Sequence, residues 1–446
     1  MTQLQKRITL FGLTMIAVGS SIGSGIFVTP GTIAKEIGHP YLILLVWVLG
    51  GVMGLTGALT FSELGGLFTQ AGGVYVYLKN AYGRLSGFLY GWVMLMVINT
   101  GSLAGLCVAF ADYLRFLIPG ISSSAKLFIA AGTMVSLTLF NILGVHYSQY
   151  ISNVLTVIKL SAIALLVFVG LFIGNPEAIQ HNFNTAFTIP GNLLVVLFSG
   201  MIGVFFSVGG WHHATYVAGE VINPAKNVAR AMVLGMVIIT SAYLLINIAY
   251  LRLLPLNEIA QTQTVASEAL TKIIPWGGRL LAVGIALSIL GTISIYSMSA
   301  PRIYFAMAED GIFFKSLSGI HTRWRTPVAA MLFQAAWALC ILFFFQAFFD
   351  KIITFVTFMD ALFFALAAAS IFVFRKKLKE QERPYRTWGY PMIPLIFITL
   401  QSIFAINIFL QKPEQALPGL GLLLIGVGMY YWFKRELESK KTEHTQ

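Results

Sequence analysis

The chain places glycine, serine and proline where an apolar helix should be least interrupted. Residues Gly19–Gly31 read GSSIGSGIFVTPG inside the first long apolar run, and residues 205–211 read FFSVGGW inside the sixth. Glycine and proline weaken helices, and unpaired backbone at membrane depth persists only where it is buried in protein or lines a polar cavity. A break at Ile22–Gly25 creates two half-helices. The second begins near Ser24, so its free N–H groups and positive dipole end suit a carboxylate. The first stops near Ser21, and its free carbonyls suit a cation or an ammonium. Phe206, Val208 and Gly209 repeat the arrangement in the sixth run. Ser21, Ile22, Gly23, Ser24, Gly25, Phe206, Val208 and Gly209 therefore read as a receptor for a zwitterion. The competing explanation is close helix packing, which small residues permit in membranes; two breaks at matching places favour a site.

Ionisable residues inside apolar runs come next. Lys159, in NVLTVIKLSAIALLVFVG, lies about ten residues into the fifth run, where an ammonium is costly and marks function. Asp360, in ITFVTFMDALFFALAAAS, lies about eight residues into the tenth, where a carboxylate usually faces the protein interior. Three roles are open for it: holding the substrate amine or a cationic side chain, carrying a coupling proton, or pairing structurally with Lys159 or another donor. His212 and His213 are neighbours, so on a helix they point about 100° apart; isolated ring hydrogen bonds are expected rather than a shared metal. Glu63, Asp112 and Glu220 close their runs near an interface and are expected to be solvated, gating or capping groups. Gly19-Ser20-Ser21-Ile22-Gly23 matches the nucleophile-elbow pattern, but that pattern needs a strand–turn–helix setting, and here it sits in an apolar helix. No metal site and no cofactor are expected.

These residues need a membrane architecture to hold them. Of 446 residues, 57% are hydrophobic and 10% charged, with a mean hydropathy of +0.80; soluble domains carry roughly a quarter charged residues. Twelve apolar runs are long enough to span a bilayer: 8–34, 41–67, 84–114, 125–143, 150–173, 190–218, 228–253, 278–306, 327–349, 352–375, 391–411 and 416–434. The first is too long for a cleavable signal and stays as span one. Spans one and six are both interrupted, and each opens a group of five. Paired interruptions point to a transporter built from inverted repeats with its site at mid-membrane. The expected organisation is one domain, with a first repeat at 8–173, a second at 190–375 and spans eleven and twelve at 391–434.

Charge fixes the orientation. With both termini cytoplasmic, only Lys35, Arg115, Lys126, Arg252, Lys272, Arg279, Lys351 and Lys412 fall outside, and Lys159 alone lies in a span, out of 29 Lys and Arg residues. The positive-inside rule favours this topology, and the net charge of +12 reads as topology rather than a nucleic-acid surface. Residues 69–83 are expected to form a short helix at the cytoplasmic face, 219–231 a turn at Asn223-Pro224, and 375–391 a basic loop acting only as a topology signal. Cys107 and Cys340 both fall in spans, so no disulfide framework is expected.

SSIGSGIFVTPG, AGGVYVYL, FFSVGGW followed by AGEVINPAKNVARA, and PRIYFAMAEDG resemble the amino acid–polyamine–organocation (APC) superfamily, most of all its L-type amino acid transporter branch. The resemblance implies an all-α polytopic protein of twelve transmembrane helices with a LeuT-like five-plus-five inverted repeat, broken helices one and six, and alternating access. It implies that the substrate carboxylate meets the Ser24 and Gly25 amides, that the amine meets carbonyls of Ser21, Phe206 and Gly209, and that the Phe206 ring closes the site from outside. It also implies that Lys159 stands where a sodium ion sits in sodium-coupled cousins, held by carbonyls near Gly19–Ile22 and by Thr292 or Ser294. At the place of Asp360, relatives of the L-type branch carry a neutral polar residue facing the pocket. Animal relatives join a glycoprotein through a cysteine in the loop between spans three and four; here that loop, RFLIPGISSSAKLF, has none, so no covalent heavy-chain partner is expected.

The function expected is secondary transport of amino acids across a plasma membrane, by a sodium-independent exchanger or permease. The alternative is proton-coupled symport or antiport of cationic amino acids or polyamines. An intramembrane hydrolase with Ser21 or Ser24 as nucleophile and His212 as base lacks a third orienting group, so no enzyme is expected. A channel lacks a repeated filter sequence, and no nucleotide-binding loop indicates a pump.

Overall fold

The computed structural model describes residues 4–184, 192–262, 264–344 and 349–443, with side chains for all of these except 145–148, 349–353 and 436–443. The described residues are helical almost throughout and contain no strand beyond an isolated bridge between Ile8 and Val221. A chain this apolar has no water with which to satisfy its backbone in a bilayer, so helices must pair their own N–H and C=O groups. Among the described residues eleven helices are long and apolar enough to cross a membrane, and Val328–Phe344, with 17 described residues, is a shorter apolar helix. The protein is a multi-pass membrane protein.

Span one is divided into Leu10–Ser21 and Gly25–Ile37. Span six runs from Leu193 to Val208 and resumes as the single turn His213–Tyr216. One boundary differs from the sequence expectation. Span eight divides into Gly277–Ser299 and Pro301–Glu309, because Pro301 has no N–H to continue the first segment and is accommodated at a helix start. Of the apolar run at 327–349, Val328–Phe344 is helical, and Phe349 belongs to the helix Phe349–Lys377. Residues 345–348 lie outside the described residues.

Enclosure sorts the spans. In span one 89% of the most apolar stretch is buried inside the protein, in span three 78%, and in span twelve only 22%. Span two packs on span seven, Pro224–Leu253, through a stripe of small residues. A Cβ added at Gly51 would lie 2.4 Å from Thr240, at Gly54 2.5 Å from Met236, and at Gly65 2.7 Å from Val228. Close backbone approach of this kind is how membrane helices gain packing energy without a hydrophobic driving force.

One face of the bundle is tied by charge. Arg302 Nε donates to Glu220 Oε1 at 2.7 Å with both side chains buried, and Arg302 Nη1 donates to the Met298 carbonyl. The Glu220 carbonyl accepts from the Arg7 and Ile8 amides, each at 2.9 Å, so the N-terminal segment is pinned to the end of span six. Glu63, also fully buried, accepts from Arg375 at 2.7 and 3.0 Å and from the Thr387 amide at 2.7 Å, with Arg383 at 3.2 Å. Asp310 receives Lys79 at 2.6 Å and the Tyr75 hydroxyl. Of the solvated, gating or capping roles expected for Glu63 and Glu220, solvation is not what the structure shows: Glu220 is buried with Arg302, and Glu63 is buried against Arg375 and Arg383. Asp112, at the surface, pairs with Lys126. The 375–391 loop is more than a topology signal, because Arg375, Arg383 and Thr387 all close on Glu63. Residues 74–82 form the expected short helix, and Asn223 takes the left-handed conformation (φ 49°) before Pro224 starts span seven.

Removing one member of a buried pair strands the other charge, at a cost of about 3–5 kcal/mol. Arg302→Met should therefore lower the thermal midpoint in detergent sharply, and Arg302→Met combined with Glu220→Gln should recover most of the loss. A single variant as stable as wild type would remove this pair from the framework.

Candidate substrate site at the two helix breaks

Between Ser21 and Gly25 the chain leaves the helix for three residues, and its carbonyls find side chains instead. The Lys159 ammonium donates to the Gly19 carbonyl at 2.9 Å and the Ile22 carbonyl at 2.5 Å, and to Thr292 Oγ1 at 2.9 Å. Thr292 Oγ1 in turn lies 2.8 Å from the Gly19 carbonyl. Lys159 is fully buried, so this cation is neutralised by backbone dipoles rather than by a carboxylate. Ser294 does not join it: its Oγ donates to Asn141 Oδ1, and Asn141 Nδ2 donates to the Ser294 carbonyl, tying span eight to span four. Two residues along a helix from Thr292, Ser294 points away from Thr292's face.

The Ser21 carbonyl is not free for a substrate amine. It accepts from the Gly23 amide at 2.8 Å and lies 2.8 Å from the Tyr243 hydroxyl, so protein donors already surround it. Tyr243 Oη also lies 2.9 Å from the Ser207 carbonyl, so one buried hydroxyl on span seven bridges both breaks. The single hydroxyl proton is shared between two acceptors. No motif marks Tyr243, an aromatic residue among many in an apolar run.

The breaks also touch directly. Ser20 Oγ, 2.6 Å from the Ile16 carbonyl of its own helix, also lies 2.8 Å from the Gly210 carbonyl, and Gly210 adopts φ +101°, where a Cβ would lie 2.6 Å from the Ser20 carbonyl oxygen. Only glycine suits that turn. A Cβ on Gly25 would meet Ser207 Cα at 2.9 Å, so close packing of span one on span six is itself a reason for this glycine. Thr29 Oγ1 bonds the Gly25 carbonyl at 2.9 Å and Ser207 Oγ at 2.8 Å. At the start of the second half-helix Ser24 makes no side-chain cap, and the first N–H groups of any helix lack intrahelical acceptors.

A cavity of about 30 Å³ opens beside the sixth-span break, lined by Phe206, Gly209, Gly210, His212, His213, Asn99, Ser102, Tyr296, Thr357 and Asp360, with apolar walls from Met94, Ile98, Phe205 and Val356. Ser21, Ile22, Gly23, Ser24 and Gly25 do not line it. Val208 turns instead towards span two, where it lines a second, apolar space with Met53, Trp211, Phe364 and Phe397. The Phe206 ring is half-buried at the cavity wall. Span three contributes through a π-helical turn at Met94–Ile98, a distortion frequent at functional sites and invisible in the sequence. Asn99, a polar residue in an apolar span, is the signal that could have drawn attention to this wall. His213 Nδ1 is 2.5 Å from Ser299 Oγ, with its ring 4.2 Å from that of Tyr296. Lys159 is bonded elsewhere, and Asp360 Oδ1 is buried with no hydrogen-bond partner among the described residues. Of the structural pairing expected with Lys159 or another donor, the Lys159 pair is not formed, because Lys159 is committed to span one.

Replacing Tyr243 by Phe keeps the ring and removes the bridge. The two carbonyls it serves then lose a donor, at about 1–3 kcal/mol. Transport activity should fall by more than about fivefold with little loss of folded protein; an unchanged rate would show that the bridge does not hold the breaks.

The family profile described as amino acid permease matches residues 8–432. The chain is 33% identical to the serine/threonine exchanger SteT of Bacillus subtilis (strain 168), over 98% of both proteins. It is 28% identical to the b(0,+)-type amino acid transporter 1 of Homo sapiens, over 97% of this chain and 88% of that one. With the Homo sapiens large neutral amino acids transporter small subunit 2 it shares 30% identity, over 96% of this chain and 80% of the relative. Matched from the first span to the last, with its first and sixth helices broken in mid-span, this chain belongs to the amino acid permease family of the amino acid–polyamine–organocation superfamily.

Proposed function

We propose that the protein is a sodium-independent amino acid exchanger working by alternating access in a plasma membrane, with both termini cytoplasmic. The observation that carries this reading is the Lys159 ammonium on the Gly19 and Ile22 carbonyls. An amine covalently attached to span five takes the oxygens that a coupling sodium would need, so the break has its donor without an ion. The similarity to an exchanger over 98% of the chain supports exchange rather than uniport.

In this reading the substrate is recognised by its α-amino and carboxyl groups. The carboxylate is held by the amides of Ser24 and Gly25, and the amine by carbonyls of Phe206 and Gly209 rather than Ser21, with the Phe206 ring as outer gate. Residues 8–173 and 190–375 move as two inverted repeats, and the residues at 391–434 stand outside them. The arginine pairs of Glu63 and Glu220 close the cytoplasmic side. Without a cysteine between spans three and four, the chain works without a disulfide-linked partner at that loop. A hydrolase reading is disfavoured because Ser21 Oγ and His212 Nδ1 each lack a hydrogen-bond partner, so nothing activates that serine.

Uptake by proteoliposomes loaded with amino acid should be unchanged when sodium is replaced by choline, and should require internal amino acid. Lys159→Ala should reduce exchange more than about tenfold, because each lost charge-assisted bond is worth about 1.5–3 kcal/mol. Strong sodium dependence of the wild type would overturn the reading.

A further inference from the structure

Every membrane-embedded or buried cation described above is already committed. Lys159 is held by span one and Thr292, Arg302 by Glu220, and Arg375 and Arg383 by Glu63. Among the described residues no lysine or arginine lines the cavity beside the sixth-span break. Yet that cavity contains a carboxylate, Asp360, whose Oδ1 is buried and accepts nothing.

A second acceptor shares this environment. Gln334 Nε2 donates to the Tyr296 carbonyl at 3.4 Å, which leaves Gln334 Oε1 to accept from Asn99 Nδ2 at 3.0 Å. The Asn99 amide is thereby oriented, and its Oδ1 is buried without a donor. The cavity thus carries two orphaned acceptors, one of them a carboxylate. Facing Asp360 are Asn99, Ser102 and Tyr90 from span three, His212, His213 and Tyr216 from the sixth-span break, Tyr296 from span eight, and Thr357 from its own helix. Tyr90 and Tyr216 are engaged with each other through their hydroxyls at 2.5 Å, and His213 with Ser299. His212 Nδ1 is without a partner, so it does not bond Asp360 through that atom.

Two orphaned acceptors call for a donor, and an unpaired carboxyl in an apolar surrounding gains one either as a proton of its own or from a cation beside it. The space available, about 30 Å³, admits only two or three water-sized groups, so the donor is carried on a short arm. We infer that Asp360, assisted by Asn99, is the counter-charge for an ammonium on the side chain of the substrate, and that the exchanger selects compact cationic amino acids over neutral ones of the same shape. This rests on the transporter reading above and adds the substrate class. A site built around a charged acceptor discriminates strongly, because an apolar isostere leaves that acceptor buried and unpaired.

The test pairs two isosteres, 2,4-diaminobutyrate and norvaline, whose side chains differ in ending on an ammonium or a methyl. Counterflow of each is measured at neutral pH in proteoliposomes with wild type, Asp360→Asn and Asp360→Glu. Wild type should prefer diaminobutyrate at least tenfold, Asp360→Asn should lose at least tenfold of that ratio, and Asp360→Glu, which retains the charge, should keep the preference. The Glu variant also separates loss of charge from loss of fold. A wild-type ratio near one overturns the inference. So does an Asp360→Asn variant that weakens both substrates alike, which would place the shared α-ammonium on Asp360. A pH dependence flattened equally for both substrates also overturns it, since Asp360 would then carry a proton. Wild type that exchanges norvaline but not diaminobutyrate sinks this inference and leaves the transporter standing; wild type that exchanges no amino acid at all sinks the transporter reading itself.

Discussion

A helix that stops in the middle of a bilayer leaves carbonyl oxygens with no partner, and here a single ammonium takes them. Lys159 reaches from span five to the Gly19 and Ile22 carbonyls and to Thr292 of span eight. Three elements are joined at one nitrogen, at the point where span one would otherwise be least stable. Neither side tolerates the loss of the other: a buried ammonium without acceptors and buried carbonyls without donors are each expensive. The break and the lysine are therefore one structural unit, although 137 residues separate Lys159 from Ile22.

Around that unit the breaks are held by short contacts rather than by bulk. Tyr243 bridges the Ser21 and Ser207 carbonyls, Ser20 bonds Gly210, and Gly25 admits Ser207 against the helix backbone. These are polar contacts between discontinuous segments, so they can exchange partners without exposing a large apolar surface. The extended helix–helix seams, such as that between spans two and seven, rest on interlocked glycines and methyl groups. In the proposed cycle this contrast divides labour: the seams keep each bundle rigid while the breaks rearrange around a substrate. The glycine at 25 serves packing as well as any ligand, so its presence alone does not locate a carboxylate.

Charge follows the same logic. Glu63, Glu220 and Asp310 are matched by arginine, lysine or tyrosine where the loops gather on one face. Each charge leaves water, wholly or in part, beside an opposite charge, which offsets the cost of burying it. Asp360 departs from the pattern, and it does so beside a cavity rather than at a loop face. Local rules are broken most often where a protein works on something else.

Hydrophobic run length set the spans, because a bilayer demands about twenty apolar residues of any helix that crosses it. Glycine and serine clusters located both breaks, since helix weakness is a local property. The depth of Lys159 and Asp360 marked them before any contact was known, because an ionisable group in a long apolar run needs a reason. Tertiary structure alone decided what each of these groups touches. Whether Lys159 met Thr292 or Ser294 depended on the rotation of span eight, and the Ser21 carbonyl was claimed by a tyrosine 222 positions away. Glu63 and Glu220 looked solvated because their arginines stand 312 and 82 residues distant. The π turn in span three, the turning of Val208 towards span two and the displacement of the cavity from the first break arise from packing among many helices. A sequence records the cost of a buried polar group; only the assembled bundle determines which partner meets it.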